Sequence, residues 1–296
     1  MGRTPAAGNT ARAGTTSLGP GPSIVGIVNV TPDSFSDGGD FLDPEAAAEH
    51  GVAMLDAGAA IIDVGGESTR PGSDPVSQEE EIGRVVPVVE RILAARPGSL
   101  ISIDTYRSET AAAALEAGAR LVNDVTALRG DPRMDSVVAE AGCPVILMHM
   151  QGEPKTMQKE PRYPDVVREV RDFLARRAEH AVAAGVSPEN IIVDPGIGFG
   201  KGLEHNLALL RNLEAFVDLG FPVLVGASRK TFIGTITGLQ EASERVFGTV
   251  ATTVLAYEKG AALFRVHDVR ANREALAVAK AVRGGVMEGR GNARGA

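Results

Sequence analysis

Residues 23–39 read S-I-V-G-I-V-N-V-T-P-D-S-F-S-D-G-G, and this stretch decides the fold class. A short β-branched apolar run ends at Val28 and passes at Asn29 into a long polar loop that contains Gly38 and Gly39. An apolar run bounded by Gly and Pro is typical of a buried strand. A polar residue at its carboxyl end is typical of parallel α/β enzymes, because their chemistry collects at that end of the strands.

The same transition from an apolar run to a polar side chain recurs along the chain. We predict eight strands, at residues 24–28, 60–64, 100–103, 121–122, 145–148, 191–193, 223–225 and 263–266. The polar residues at or just beyond their carboxyl ends are Asn29, Asp63, Glu67, Asp104, Asn123, Asp124, His149, Asp194, Ser228, Arg229, Lys230, Arg265 and His267.

Segments with helical spacing lie between the predicted strands, for example at residues 44–57, 79–95, 108–117, 164–184 and 204–219. Many of them end in Ala-Gly or Leu-Gly, where Gly58, Gly118, Gly185 and Gly220 are expected to cap the helix and turn the chain into the next strand. Eight β-α pairs in about 250 residues are the size of one (β/α)8 TIM barrel. A doubly wound open sheet is the alternative, although it needs no eighth strand.

Composition indicates a single-domain enzyme, with 44% hydrophobic residues and a net charge of -8 that disfavours nucleic acid as a partner. No apolar run approaches the ~20 residues of a membrane helix. The one cysteine, Cys143, excludes an internal disulfide and fits a reducing cytoplasm. We expect residues 1–22 to be a disordered extension, 23–283 the barrel and 284–296 a flexible tail.

Two familiar nucleotide motifs fail when their spacing is checked. The run P-G-I-G-F-G-K-G at 195–202 resembles a phosphate loop, but Pro195 stands where that loop needs its first Gly. Gly202 also stands where the phosphate loop needs Ser or Thr, and Lys201 or Leu203 falls at the last Gly of the dinucleotide pattern. The chain is therefore not predicted to cradle a nucleotide.

The polar residues at the strand ends are of two kinds. Asp104, Asn123 and Asp194 supply carboxylates and an amide, which suit a flat heterocycle with several N–H donors. Positive charge, which suits phosphate, comes from Arg70, Arg229, Lys230, Arg265 and His267. Taken singly, each Asp or Asn could equally cap the following helix. Together they predict a site for a polar heterocycle that carries an anionic leaving group.

An ordered set of motifs on the eight strands resembles the dihydropteroate synthase family from about residue 24 to 282. The motifs are N-V-T-P-D-S-F-S-D-G-G at 29–39, D-V-G-G-E-S-T-R-P-G at 63–72, S-I-D-T at 102–105, N-D-V at 123–125, M-H-M at 148–150, D-P-G-I-G-F-G-K at 194–201, S-R-K at 228–230 and R-V-H-D-V at 265–269. Each short motif is weak alone, but their order along the chain is specific.

The resemblance implies that 4-aminobenzoate displaces diphosphate from (7,8-dihydropterin-6-yl)methyl diphosphate, by an SN1-like path that needs no covalent nucleophile. It implies catalytic roles for Asp104, Asp194, Lys230 and Arg265, and Mg²⁺ held at Asn29. It further implies a homodimer formed through the later helices. The substrate-binding residues implied by the resemblance are Thr69, Arg70, Pro71, Asp104, Asn123, Asp194, Phe199, Lys230, Thr231, Arg265 and His267.

Loops at residues 31–41 and 67–77 are expected to close over the substrates and to build the aminobenzoate site, which sulfonamides should share through Phe35, Arg70 and Pro71. Asp63 and Glu67 are expected to order the site, and His149 to be a buried supporting residue. Two alternatives remain: a methyltetrahydrofolate-binding methyltransferase barrel, and a silent paralogue that only binds pterins or a partner enzyme. The cationic set disfavours the methyltransferase, since its substrate has no diphosphate.

Overall fold

The computed structural model describes residues 21–31, 43–68, 73, 75–152 and 156–284. Most of the predicted N-terminal extension and C-terminal tail lies outside these ranges. So do most of the loop at 31–41 and part of the loop at 67–77. Phe35, Thr69, Arg70 and Pro71 therefore lie outside the described residues.

Eight parallel strands in the described part of the chain form one sheet that closes into a barrel. The strands are β1 Ser23–Asn29, β2 Ile61–Gly65, β3 Leu100–Asp104, β4 Leu121–Asp124, β5 Val145–Met148, β6 Ile191–Asp194, β7 Leu224–Val225 and β8 Leu263–Val266. Their order is β6-β5-β4-β3-β2-β1-β8-β7, and a bridge from Val193 to Val223 joins the two ends. The prediction of a TIM barrel is confirmed, and the open-sheet alternative is wrong.

Helices alternate with the strands and cover the outside of the barrel. They are α1 Pro44–Ala57, α2 Gln78–Ala95, α3 Ser108–Glu116, α4 Met134–Ala141, α5 Val166–Ala183, α6 Leu203–Arg211, α7 Glu214–Val217, α8 Thr231–Thr237, α9 Val246–Glu258 and α10 Val269–Gly284. In the described ranges, no helix is long and apolar enough to cross a membrane.

Most predicted helix boundaries hold, with one correction. The four capping glycines adopt positive φ, as at Gly58 with φ 102°. The helix predicted at 204–219 is instead two helices, α6 and α7. The side-chain amide of Asn212 donates to the carbonyl of Ala208 at 2.8 Å, and Asn212 has φ -118°, so the first helix ends there.

The barrel interior is built in layers, because every second residue of a strand points to the same face. The lower layer is an apolar plug with one residue from each strand: Val25, Ile61, Leu100, Leu121, Ile146, Ile192, Leu224 and Leu263. Two residues further along each strand come Ile27, Asp63, Ser102, Asn123, Met148, Asp194, Gly226 and Arg265. The polarity of the interior thus changes within one layer, at the carboxyl end of the barrel.

Candidate active site

Arg265 lies in the polar layer, where its side chain joins β8 to β2 and β3 across β1. Its Nε donates to Oδ2 of Asp63 at 2.6 Å, and its Nη2 donates to Oδ2 of Asp104 at 2.7 Å. The amide of Asn123 also donates to Oδ2 of Asp63, at 3.0 Å. Asp63 is fully buried and accepts from both Arg265 and Asn123, so it orders these two side chains, as the sequence predicts.

Burial opposes the charge on this network. It raises the pKa of Asp104 to about 7, against the opposing effect of Arg265, while Asp63, Glu81 and Asp124 raise that pKa further. Burial by itself would lower the pKa of Arg265, but the carboxylates of Asp63 and Asp104 raise it above its usual value. Arg265 therefore stays a cation beside a carboxyl group that titrates near neutral pH.

The raised pKa of Asp104 predicts a pH-dependent stability. Its ordinary value is 3.8, so its contribution to folding is fully present below that pH and is lost as pH rises through about 7. We expect Asp104→Asn to show a smaller fall in Tm than the wild type between about pH 5 and about pH 8. Thermal unfolding at both pH values measures this, with exposed Asp218→Asn as the control. An equal fall in Tm in Asp104→Asn and the wild type would contradict the prediction.

On the opposite side of the barrel mouth, Asp194 and Lys230 lie close enough to influence each other electrostatically. Oδ1 of Asp194 accepts from the backbone N–H of Gly196 at 2.6 Å. Nζ of Lys230 donates to the carbonyl of Ile197 and lies 4.4 Å from the centre of the Phe199 ring. Burial raises the pKa of Asp194, which Lys230 lowers, and burial also lowers the pKa of Lys230 to about 8.

The two charged groups leave a space at Gly226, the one interior position of this layer without a side chain. A Cβ placed there would lie 3.8 Å from Cβ of Arg265 and 3.9 Å from Oδ2 of Asp194. Beside the site, Val125, Met148, Met150 and Met157 form a buried apolar cluster against which Tyr106 and Phe199 pack. An apolar wall with carboxylates at its edge suits a flat heterocycle that carries N–H donors.

The outer part of the site is built from the loops after β7 and β8. Oγ of Ser228 lies 2.9 Å from Nδ1 of His267 and accepts from the backbone N–H of His267 at 3.1 Å. Arg229 makes two bonds to the carboxylate of Asp268, at 2.9 and 2.6 Å, so its charge is already paired. Grouping Arg229 with the phosphate-binding cations is therefore not supported, whereas Thr231 begins α8 as an exposed residue near the site.

Asn29, at the end of β1, is the predicted magnesium residue. Its side chain is partly exposed, and in the described ranges no cluster of three or more His, Cys, Asp or Glu side chains could hold a metal ion. One amide oxygen fits Mg²⁺ only where substrate phosphate and water complete the coordination shell, which is the usual way Mg²⁺ binds with diphosphates. The donor present at Asn29 suits that arrangement.

Sequence reasoning missed a buried ion cluster at the base of the loop that follows β2. Arg107 donates to Glu81 and to Glu67, both at 2.7 Å, and to the carbonyl of Val76 at 2.8 Å. The hydroxyl of Tyr106 donates to Glu67 at 2.8 Å. Glu67 therefore orders the loop, as expected. The position of Tyr106 and Arg107 directly after β3 was the signal available in the sequence.

Two further strand-end residues have structural roles. Asp124 accepts from the backbone N–H of Thr126 at 2.7 Å and of Leu128 at 2.9 Å, so capping of the next turn explains it. His149 is buried, as predicted, and its Nδ1 lies 2.9 Å from Nζ of Lys201. In the sequence, Lys201 belongs to a run that fails as a phosphate loop and to the family motif at 194–201, and neither pattern predicts this partner.

The barrel and its mouth define an enzyme class: a (β/α)8 barrel that binds a polar heterocycle between buried carboxylates and a cationic rim. The sequence profile described as "Pterin binding enzyme" matches residues 25–267. A dihydropteroate synthase of Neisseria meningitidis is 48% identical over 266 residues, covering 88% of this chain and 93% of that relative. The chain belongs to the dihydropteroate synthase family of pterin binding enzymes.

Solved structures agree. A dihydropteroate synthase of Xanthomonas albilineans with 4-aminobenzoic acid is 47% identical to this chain, with a TM-score of 0.85, and the match covers 90% of this chain and 94% of that one. A structure of the Xanthomonas albilineans enzyme with 7,8-dihydropteroate has 45% identity and a TM-score of 0.81, covering 90% and 95%. These similarities extend over the whole barrel.

Proposed function

We propose that this chain catalyses the dihydropteroate synthase reaction, in which 4-aminobenzoate displaces diphosphate from (7,8-dihydropterin-6-yl)methyl diphosphate. The observation that carries the proposal is a pair of largely inaccessible carboxylates in the barrel mouth. Asp194 is buried and faces the space at Gly226, and Asp104, whose side chain is 11% exposed, accepts from Arg265. A pterin is a flat ring system with an amino group and ring N–H donors, which are the partners that buried carboxylates require.

Asp194 is the main pterin-binding residue in this proposal. Its Oδ1 is already bound to Gly196, so Oδ2, which faces the space at Gly226, is the oxygen that accepts from the pterin. Asn123 and Asp104 supply further polar groups from the other side. Lys230 would leave the carbonyl of Ile197 to donate to a pterin acceptor, and it stays close to Asp194 in doing so.

Diphosphate would lie at the outer edge, near Asn29, Arg265 and His267. Mg²⁺ at Asn29 would offset the charge of the leaving group when bound. Departure of diphosphate leaves positive charge on the pterin methylene, and the buried carboxylates stabilise that charge by electrostatics alone. The enzyme thus works by positioning and by charge, which suits an SN1-like displacement without a covalent nucleophile.

The amine of 4-aminobenzoate would then attack the methylene from the side of Phe199 and Thr231. The Phe199 ring packs with the apolar cluster and contacts Lys230, so it offers an aromatic face beside a cation. The family resemblance also assigns substrate binding to Thr69, Arg70 and Pro71, which lie outside the described residues. We place the enzyme in the cytoplasm, where the buried thiol of Cys143 would remain reduced.

A diphosphate-release assay tests the proposed function. We expect release that requires both substrates and Mg²⁺, and inhibition by a sulfonamide that added 4-aminobenzoate relieves. Diphosphate release that 4-aminobenzoate does not accelerate, with no dihydropteroate formed, would disprove a synthase. Pterin binding without any release would favour the silent paralogue, and methyl transfer from methyltetrahydrofolate would favour the methyltransferase alternative.

We also propose that the chain forms a homodimer through α9 and α10. These two helices pack against each other and carry large apolar side chains in solvent: Phe247 is 87% exposed, Leu255 65%, Val278 65% and Val282 82%. Apolar side chains grouped on neighbouring helices are typical of a protein–protein interface. A second copy of the chain fits the dimer that the family resemblance implies.

Phe247→Glu is expected to convert the dimer into monomers, because it places a charge where an apolar side chain would be buried between subunits. Sedimentation velocity at micromolar protein concentration measures the change in mass. The control is Val182→Glu, which makes a similar change on α5, at an apolar side chain that is 41% exposed. A wild-type protein that sediments as a monomer, or a Phe247→Glu variant that remains dimeric, would contradict the proposed interface.

A further inference from the structure

Lys201 is a buried charged residue for which the reaction proposed above gives no role. It is only 2% exposed, although lysine is rarely buried to this degree. Its Nζ contacts three neutral groups: Nδ1 of His149 at 2.9 Å, the carbonyl of His149 at 3.2 Å and the carbonyl of Phe199 at 2.9 Å. Three acceptors match the three N–H donors of an ammonium group.

These three contacts join two loops of the barrel mouth. His149 directly follows β5, whereas Phe199 lies in the loop between β6 and α6. The two backbones are in direct contact: Gly196 has φ 67° and a Cβ there would collide with the carbonyl of His149, while a Cβ at Gly200 would collide with that of Gln151. No side chains lie between the loops at these points, and the buried ammonium of Lys201 bonds them together there. Gln158 and Tyr163 add bonds from the segment after β5, to the carbonyls of Gly198 and Gly200.

The loop that Lys201 holds carries two parts of the substrate site. The carbonyl of Ile197 accepts from Lys230, and the ring of Phe199 lies against the same ammonium group. Lys201 and Lys230 thus bind carbonyls two residues apart in one loop, the first from below and the second from the substrate side. Movement of Lys230 onto a pterin would remove one of these bonds, and Lys201 would then keep the loop in place.

Lys201 is also electrostatically close to Asp194. The charges that act on the Asp194 carboxyl come from Lys230 after β7, Lys201 in its own loop and Arg265 on β8, and each lowers its pKa. Burial lowers the pKa of Lys201 well below its usual range, and Asp194 acts in the opposite direction. Burial and the charge of Lys201 lower the pKa of His149 to about 2, so its ring is neutral and its Nδ1 can accept.

We propose that Lys201 is a positioning residue for the reaction assigned above: it fixes the β6–α6 loop with Phe199 against the end of β5. The Lys201 ammonium also acts on the Asp194 carboxyl, where it lowers the pKa against the opposing effect of burial. It does not touch substrate. The inference rests on the proposed function for the identity of the pterin, but its geometric part concerns only Lys201, His149 and Phe199.

Lys201→Met tests both parts, since it removes the charge and the donors and keeps a similar chain length. We expect kcat/KM for the pterin substrate to fall by about tenfold or more. In the pH profile of kcat/KM, the acidic limb should move to higher pH, because Asp194 protonates more readily without the charge of Lys201. The KM for 4-aminobenzoate should rise, because the loop that carries Phe199 is held less firmly. Lys159→Met, the same change at an exposed lysine, should match the wild type in every parameter.

Lys201→Gln separates the effect of the hydrogen bonds from the effect of the charge. It also provides the test if the Lys201→Met variant does not fold. Gln retains N–H donors without a charge, so we expect the KM for 4-aminobenzoate to recover in part while the acidic limb stays shifted. Calorimetric titration with the pterin substrate supplies the affinity independently of turnover. Wild-type binding and wild-type pH dependence in both variants would overturn the proposal, as would a loss of stability alone. An inactive wild type would instead refute the proposed function.

Discussion

Asp194→Asn is expected to weaken pterin binding by roughly ten- to hundredfold while leaving the barrel folded. The substitution keeps the shape of the side chain but replaces one acceptor oxygen by an N–H₂ donor. Oδ1 of Asp194 already accepts from Gly196, and Oδ2 faces the space at Gly226, so either orientation of the amide points a donor at a donor. An unsatisfied buried pair of this kind costs about 1–3 kcal/mol.

Calorimetric titration with the pterin substrate measures this loss directly. The diphosphate-release assay should show at least the same loss in kcat/KM, since the lost charge also stabilised the developing cation. Asp218→Asn makes the same change at an exposed aspartate and should behave as the wild type. Wild-type pterin affinity in Asp194→Asn would remove Asp194 from the binding role and leave Asp104 as the main carboxylate.

The barrel could be predicted from the sequence because its signals are local. Each strand is a short apolar run that ends in a polar residue, and helix ends are marked by glycines such as Gly58 and Gly118. The helix end at Asn212 could not be predicted, since no Gly or Pro marks it. The side chain of Asn212 bonds to the carbonyl of Ala208 beside the backbone N–H, and its backbone then leaves helical geometry.

The sequence predicts which residues belong to the candidate site, but it does not predict which of them bind each other. Asp63, Asn123, Asp194 and Arg265 all lie two residues after the apolar plug, so the period of the strands places them in one layer. That Arg265 binds Asp63, 202 residues away in the chain, depends on closure of the barrel. Sequence reasoning missed Lys201 for the same reason: its partner His149 comes from another strand end, and its own motif suggests a phosphate loop.

For Arg229 the sequence suggests a role that the structure does not support. Its positive charge suggests phosphate binding, but a neighbouring carboxylate already pairs with that charge. The S-R-K motif places a cation beside Lys230, but the Asp268 carboxylate accepts from both Nε and Nη2 of Arg229, along one edge of the guanidinium. The carboxylate follows His267 in the R-V-H-D-V motif, so the two motifs that were assigned separately to phosphate bind each other. Positive charge in a motif predicts anion binding only where no carboxylate is already paired with it.

Arg265→Met is expected to be the most destabilising of these substitutions, lowering the free energy of unfolding by about 3–5 kcal/mol near neutral pH. Arg265 is the ion partner of Asp63, which is fully buried, and of Asp104, whose side chain is 11% exposed. Removing the guanidinium leaves both carboxylates without their cation. Asn123 still donates to Asp63, but a neutral amide does not replace the lost charge.

The loss of unfolding free energy in Arg265→Met should depend on pH. Arg265 lowers the pKa of Asp104, so the Arg265→Met variant should have a still higher Asp104 pKa. A carboxyl with a raised pKa in the folded state costs stability as pH rises, until the pH exceeds that pKa, so the variant keeps losing stability at pH values where the wild type no longer does. Urea unfolding should therefore show a larger deficit at about pH 8 than at about pH 5. Arg270→Met, which breaks an exposed ion pair with Glu274 on α10, should stay within about 0.5 kcal/mol of the wild type. A deficit below about 1 kcal/mol, or one equal at both pH values, would show that Arg265 does not neutralise the two carboxylates.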